Sequence, residues 1–96
     1  MRYANLVTYV PDADKVSALR PSHQAYVRML MGQGKLLLAG PFTDGSGALF
    51  VYEADTMAAA EKLAIDDPYH DGGAFADYRI AEWDIRAVHP TLLEAK

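Results

Sequence analysis

Every strand-like run in this chain is apolar on both of its faces, and only two helix-like runs are present to cover them. Side chains alternate across a strand, so each run divides into two sets. In Tyr3–Val10, Tyr3, Val7 and Tyr9 point one way and Ala4, Leu6 and Val10 the other. Lys35–Ala39 sets Leu36 and Leu38 against Leu37 and Ala39, and Ala48–Glu53 sets Phe50 and Tyr52 against Leu49 and Val51. The last run, Phe75–Val88, sets Tyr78 and Ile80 against Ala81, Trp83 and Ile85. Two helices cover one face of a sheet built from these runs. The other face would stay as a large apolar patch, which monomers rarely expose. A second copy packed sheet to sheet is the simplest cover, so the pattern predicts a homodimer through the sheet faces.

Breakers between the runs set the order. Pro11-Asp12 closes the first strand. Pro21 suits the first position of a helix, which makes Arg20 the N-cap and puts His23 in the first turn. His23, Tyr26, Val27, Leu30 and Met31 then share one stripe of a helix over about residues 22–32, ended by Gly32 and Gly34. The second strand stops at Gly40-Pro41, and the turn Asp44-Gly45-Ser46-Gly47 joins it to the third as a hairpin. Thr56 caps a second helix over about 57–65, which breaks near Asp66 because Pro68 disfavours helical geometry at Asp67. Asp71-Gly72-Gly73 is a loop, and beyond Pro90 a frayed tail is expected. The order is βαββαβ. It predicts an α+β, ferredoxin-like fold with a four-stranded antiparallel sheet and two helices on one face. Ninety-six residues are enough for one core, so residues 1–96 read as a single domain.

Composition narrows the function. The formal net charge is −4 with the basic residues dispersed, which argues against a nucleic-acid-binding face. The chain has no cysteine, which rules out thiolate nucleophiles and disulfides and is compatible with a reducing compartment. The first residues carry no signal-like apolar run, and nowhere do about 20 apolar residues follow one another. The expectation is a cytoplasmic globule with no membrane partner, whose ligand is a small neutral or mildly anionic molecule.

Three motifs carry what chemistry there is: Arg20-Pro21-Ser22-His23, Gly40-Pro41-Phe42 and Asp66-Asp67-Pro68-Tyr69. A neutral imidazole at His23 could take up a proton if a carboxylate oriented it and stabilised its charged form. Asp67, held out of the helix by Pro68, is the candidate; Asp66 competes with it. The plainer reading is that His23 fills space and Asp67 is a solvated turn residue. Arg20 would grip a carboxylate or phenolate with its planar fork, or pair with a surface acid. Gly40 and Pro41 end a strand and, because glycine lets backbone approach a ligand, would line a pocket with Phe42. Ser22 lacks a base arrangement for a serine hydrolase. His70 and Asp71 lie near Asp66-Asp67, but a structural role for His70 is favoured over a metal site, and no metal is expected. His89 has no assigned role.

The three motifs, in this order and over Tyr3 to Trp83, resemble the YciI-like (YCII-related) family of small α+β proteins. The family pattern is Arg-x-x-His, Gly-Pro and Asp-Pro. The resemblance implies membership of the dimeric α/β-barrel group and a catalytic His–Asp centre mapping onto His23 and Asp67. It also favours a site role for Arg20. The family includes a dehydrochlorinase acting on a hydroxylated chloroaromatic, and related barrels isomerise muconolactones. The resulting expectation is a small cofactor-independent lyase or isomerase using His23 and Asp67 as an acid–base pair. The alternative is a non-catalytic ligand-binding or assembly module that uses the same pocket.

Overall fold

The computed structural model describes residues 1–93. Its elements are β1 (Arg2–Tyr9), α1 (Ala13–Gly32), β2 (Leu36–Pro41), β3 (Gly47–Glu53), α2 (Met57–Ile65), α3 (Pro68–Asp71) and β4 (Phe75–Glu82), followed by a 3-10 turn at Pro90–Leu93. The four strands form one sheet in the order β2-β3-β1-β4, with all three pairings antiparallel. This is the expected α+β, ferredoxin-like arrangement, with the short α3 added after α2.

The largest departure from the expected elements is the start of α1. The helix begins at Ala13, where the Asp12 side chain accepts the Lys15 N–H at 3.1 Å as N-cap, and Pro21 lies inside it. Proline in a helix interior leaves the carbonyl four residues back without its N–H. Here that carbonyl belongs to Ser17, which is exposed, so water can serve it. Arg20 is therefore not a cap, and His23 lies more than two turns into the helix. The free amides at the start of α1 therefore lie near Asp12 rather than around His23. At the other end Gly34 takes the left-handed φ of 71° that stops the helix.

The added turns of α1 have a purpose in packing. Along its C-terminal half the sheet face of Tyr3, Val7, Phe50 and Tyr52 meets Leu30 and, from α2, Ala60 and Ala64. Along its N-terminal half Val16 forms a second buried cluster with Tyr69 and Ala74, flanked by Leu19. That cluster fastens α3 beneath α1.

Two further differences concern the strands. A register shift between Leu36 and Leu38 puts Leu36 opposite Tyr52 and Ala39 opposite Phe50, so Leu36 and Ala39 share the helix side and Leu38 faces the other way. Simple alternation cannot anticipate such a bulge. β4 ends at Glu82 rather than near Val88, because its partner β1 runs out: the last bond is from Trp83 N–H to Arg2 O at 2.8 Å. Of the expected tail, Pro90–Leu93 is the 3-10 turn, and residues 94–96 lie outside the described part.

The face away from the helices carries Leu38, Val51, Ala4 and Ala81 in one row and Gly40, Leu49, Leu6 and Arg79 in the next. Leu6 is 50% exposed, Leu38 39% and Trp83 43%.

Gly47 separates backbone constraint from composition. A Cβ there would overlap the backbone carbonyl of Val7, whereas one at Gly40 would meet nothing within 4 Å. Gly47→Ala should therefore cost roughly 2 kcal/mol or more, and Gly40→Ala should stay within about 0.5 kcal/mol. Denaturant unfolding of the two variants in parallel checks this.

Candidate functional site

The site is made where α2 gives way to α3. Asp66 closes α2, and Asp67, next to Pro68, has φ −64° and ψ 130°, the extended conformation a pre-proline residue prefers. The same geometry makes Asp67 the cap of α3, its Oδ1 accepting the Tyr69 N–H at 2.9 Å. The carboxylate is turned inward and is 2% exposed. From α1, His23 reaches it: Nδ1 donates to Oδ1 at 2.8 Å and to Oδ2 at 3.0 Å. Because a carboxylate only accepts, the contact assigns the ring proton to Nδ1 and leaves Nε2 as the nitrogen available for chemistry.

Aromatic rings fix the imidazole plane. Tyr69 stacks on His23 with centroids 3.9 Å apart and planes 9° from parallel, and Phe50 meets it edge-on at 5.7 Å. Tyr69 is held in turn by the edge of Tyr9 at 5.6 Å. Burial, reinforced by Tyr69 and Asp67 and opposed by the Arg20 guanidinium, pushes the Tyr9 hydroxyl up to about 12, so it lines the same cleft as His23 as a neutral phenol. Burial also pushes the Tyr26 hydroxyl up to about 12; it donates to Leu63 O at 2.7 Å and belongs to the α1–α2 packing.

His23 and Tyr69 form part of the wall of a cleft of about 1020 Å³ between α1 and the β2–β3 hairpin. Arg20 reaches it from α1, and Gly40 and Pro41 reach it from β2. Phe42, expected beside them, is not among the lining residues. It stands past the end of β2, where its N–H bonds Gly47 O as the chain enters the turn. Asp66, the competing acid, turns to the surface and pairs with Lys62 at 2.6 Å. His70 packs edge-on against Phe75 and Tyr78. Among the described residues no group of three or more His, Cys, Asp or Glu side chains is disposed to hold a metal ion. Also among the described residues, no helix is long and apolar enough to cross a membrane.

A sequence model of the YCII-related domain matches residues 1–84, which spans all four strands and the cleft. The chain belongs to the YCII-related domain family. It is 30% identical over 64 residues to the uncharacterized protein YjpA of Bacillus subtilis (strain 168), covering 67% of this chain and 74% of YjpA. In fold it is similar to 5-chloro-2-hydroxyhydroquinone dehydrochlorinase (TftG) from Burkholderia phenoliruptrix AC1100, solved in complex with 2,5-dihydroxybenzoquinone. The TM-score is 0.77 at 21% identity, over 88% of this chain and 94% of TftG. A muconolactone isomerase superposes with a TM-score of 0.67 at 15% identity over 100% of this chain and 98% of the enzyme. At these identities the two structures speak for the fold.

Within this YCII-related domain, the sequence motifs named the residues at the His23–Asp67 contact but not those that hold it. Tyr69 lies inside the third motif without an assigned role, and Phe50 reads as an ordinary strand residue. Gln24 and Arg28, which also line the cleft, fall outside all three motifs. A helix begun at Asp12 would have shown Val16, Arg20, His23 and Val27 on one face at spacings of four, three and four.

Proposed function

We propose that this YCII-related domain is a small enzyme of lyase or isomerase type, working by general acid–base chemistry through His23 and Asp67. The observation that carries the reading is the bifurcated hydrogen bond from Nδ1 of a histidine on a cleft wall to both oxygens of a buried carboxylate. Nε2 takes a proton from the substrate. The imidazolium so formed is stabilised by Asp67 at Nδ1 and by the π face of Tyr69 against its ring. In an elimination the substrate's leaving group departs with its bonding pair and Nε2 passes the proton to solvent. In an isomerisation Nε2 returns the proton to a different carbon of the same molecule. Arg20 holds an anionic group of the substrate, and Gly40 and Pro41 form the opposite wall. A dehydrochlorinase and a muconolactone isomerase share the fold, and their names are those of an elimination and an isomerisation, which supports the reading although a fold does not fix a function. The lack of cysteine fits a cytoplasmic setting.

The competing reading, a binding module using the same cleft, requires no proton transfer. A screen of halogenated phenols and lactones with wild type, His23→Ala and Asp67→Asn separates the two. On a turned-over substrate each variant should lose about 10²- to 10⁴-fold in kcat while staying folded by circular dichroism. Unchanged turnover in both would remove the mechanism.

We further propose a homodimer through the sheet face that carries Leu6, Leu38 and Trp83. Half-exposed apolar side chains in adjacent rows support it, since a monomer would leave them in water. Sedimentation at micromolar concentration should show a dimer, and Leu6→Glu should give a folded monomer. A wild-type monomer at that concentration would contradict the assembly.

A further inference from the structure

The cleft is charged against the sign of the chain. Acidic residues outnumber basic ones by 13 to 9, yet among the described residues no Asp or Glu lines the cleft, while two arginines, Arg20 and Arg28, do. Among the described residues neither arginine makes an ion pair. Asp67, behind His23, is engaged by Nδ1 of His23 and the Tyr69 N–H. Three acids adjoin lining positions along the chain: Asp12 accepts Lys15 N–H, Asp44 accepts Ser46 N–H, and Asp14 is exposed in the first turn of α1 without lining the cleft. Two guanidinium groups therefore line the cleft, and among the described residues no carboxylate pairs with either. Between and beside them the wall is apolar, with Val16, Val27, Ala48 and Phe50.

Their spacing is informative. Arg20 and Arg28 are eight residues apart on α1, about 12 Å along its axis, with Gln24 between them. A guanidinium fork engages a carboxylate best as a planar, bidentate pair. Two anionic groups on one scaffold satisfy both forks without bending either side chain towards the other. The cleft, at about 1020 Å³, has room for a ring between them.

We propose that the cleft binds a ring-sized organic molecule with two anionic groups, one held by Arg20 and the other by Arg28, two turns further along α1. This names the ligand class of the site in the preceding section and rests on that site being where the ligand binds. Arg20 fixes the end next to His23, where the proton moves. Arg28 selects for the second charge, which a neutral or singly charged analogue lacks.

Calorimetric titration at low and physiological salt tests this with benzoate as the single-anion probe and terephthalate and biphenyl-4,4′-dicarboxylate as two-anion probes. At least one dicarboxylate should bind about tenfold more tightly than benzoate, the gain expected from one further charge-assisted hydrogen-bonded pair. The gap should shrink as salt rises. Arg28→Gln should remove the gap while leaving benzoate affinity within about twofold, and Arg28→Lys should restore part of it. Arg20→Gln should weaken all three probes. Arg86→Gln, the same charge change at an exposed residue paired with Asp84, should alter none of them. Equal affinity for mono- and dicarboxylates overturns the proposal, as does a gap that survives Arg28→Gln. So do absence of binding at millimolar ligand and an Arg28→Gln variant that changes oligomeric state, which would assign Arg28 to a second copy. Binding is read without turnover, so its failure leaves the His23–Asp67 mechanism standing, and failure of that mechanism leaves the ligand class standing.

Discussion

A carboxylate that is 2% exposed is costly to bury unless every lone pair facing the protein is met, and Asp67 is met by His23 and the Tyr69 N–H. Much of the architecture around the cleft follows from that requirement. Pro68 keeps Asp67 extended and starts α3, which supplies the Tyr69 amide. The Tyr69 ring then returns over His23. The contact spans 44 residues and ties α1 to the end of α2, so the group that orients the imidazole also helps to hold the helical layer together. Stability and proposed chemistry share one carboxylate. That is why Asp67→Asn, which keeps an acceptor, is a better probe of mechanism than a truncation that strands the Nδ1 proton.

The sheet makes this arrangement possible by giving its two faces different tasks. On one, Tyr3, Val7, Phe50 and Tyr52 pack under α1 and α2 as the main core, and Phe50 extends from that core to touch His23. The opposite face, with Leu6, Leu38 and Trp83, adds no side chain to the cleft and is the face through which we propose that the dimer forms. α1 needs its full length because it serves two clusters: Leu30 belongs to the first and Val16 to the second. Arg20, His23 and Gln24 fall between the two anchored ends, where the helix spans the mouth of the β2–β3 hairpin.

The succession of strands and the two main helices was legible because apolar periodicity and Gly/Pro breakers report it directly. The meeting of His23 with Asp67 was legible only as far as Pro68 fixes Asp67 and the family pattern pairs it with the histidine. What stayed hidden depends on partners distant in the chain. Pro21 looks like a helix start, yet the exposed Ser17 carbonyl tolerates its missing N–H, and the cap at Asp12 lies nine residues earlier. The end of β4 is set by where β1 runs out, not by anything in Trp83–Val88. The bulge at Leu36–Leu38 reverses a face that alternation assigned otherwise. Tyr69 meets His23 and Val16 only once α3 tucks under a helix longer than expected.

The account turns on which nitrogen of His23 carries the proton in the neutral imidazole. Nitrogen-15 NMR of imidazole-labelled protein, with His23→Gln for assignment, reads this directly in the absence of any substrate. The geometry predicts that neutral His23 gives the signal pair of the Nδ1–H tautomer, and that this preference is lost in Asp67→Ala. An Nε2–H tautomer, or the rapidly averaged mixture of a free imidazole, would contradict it.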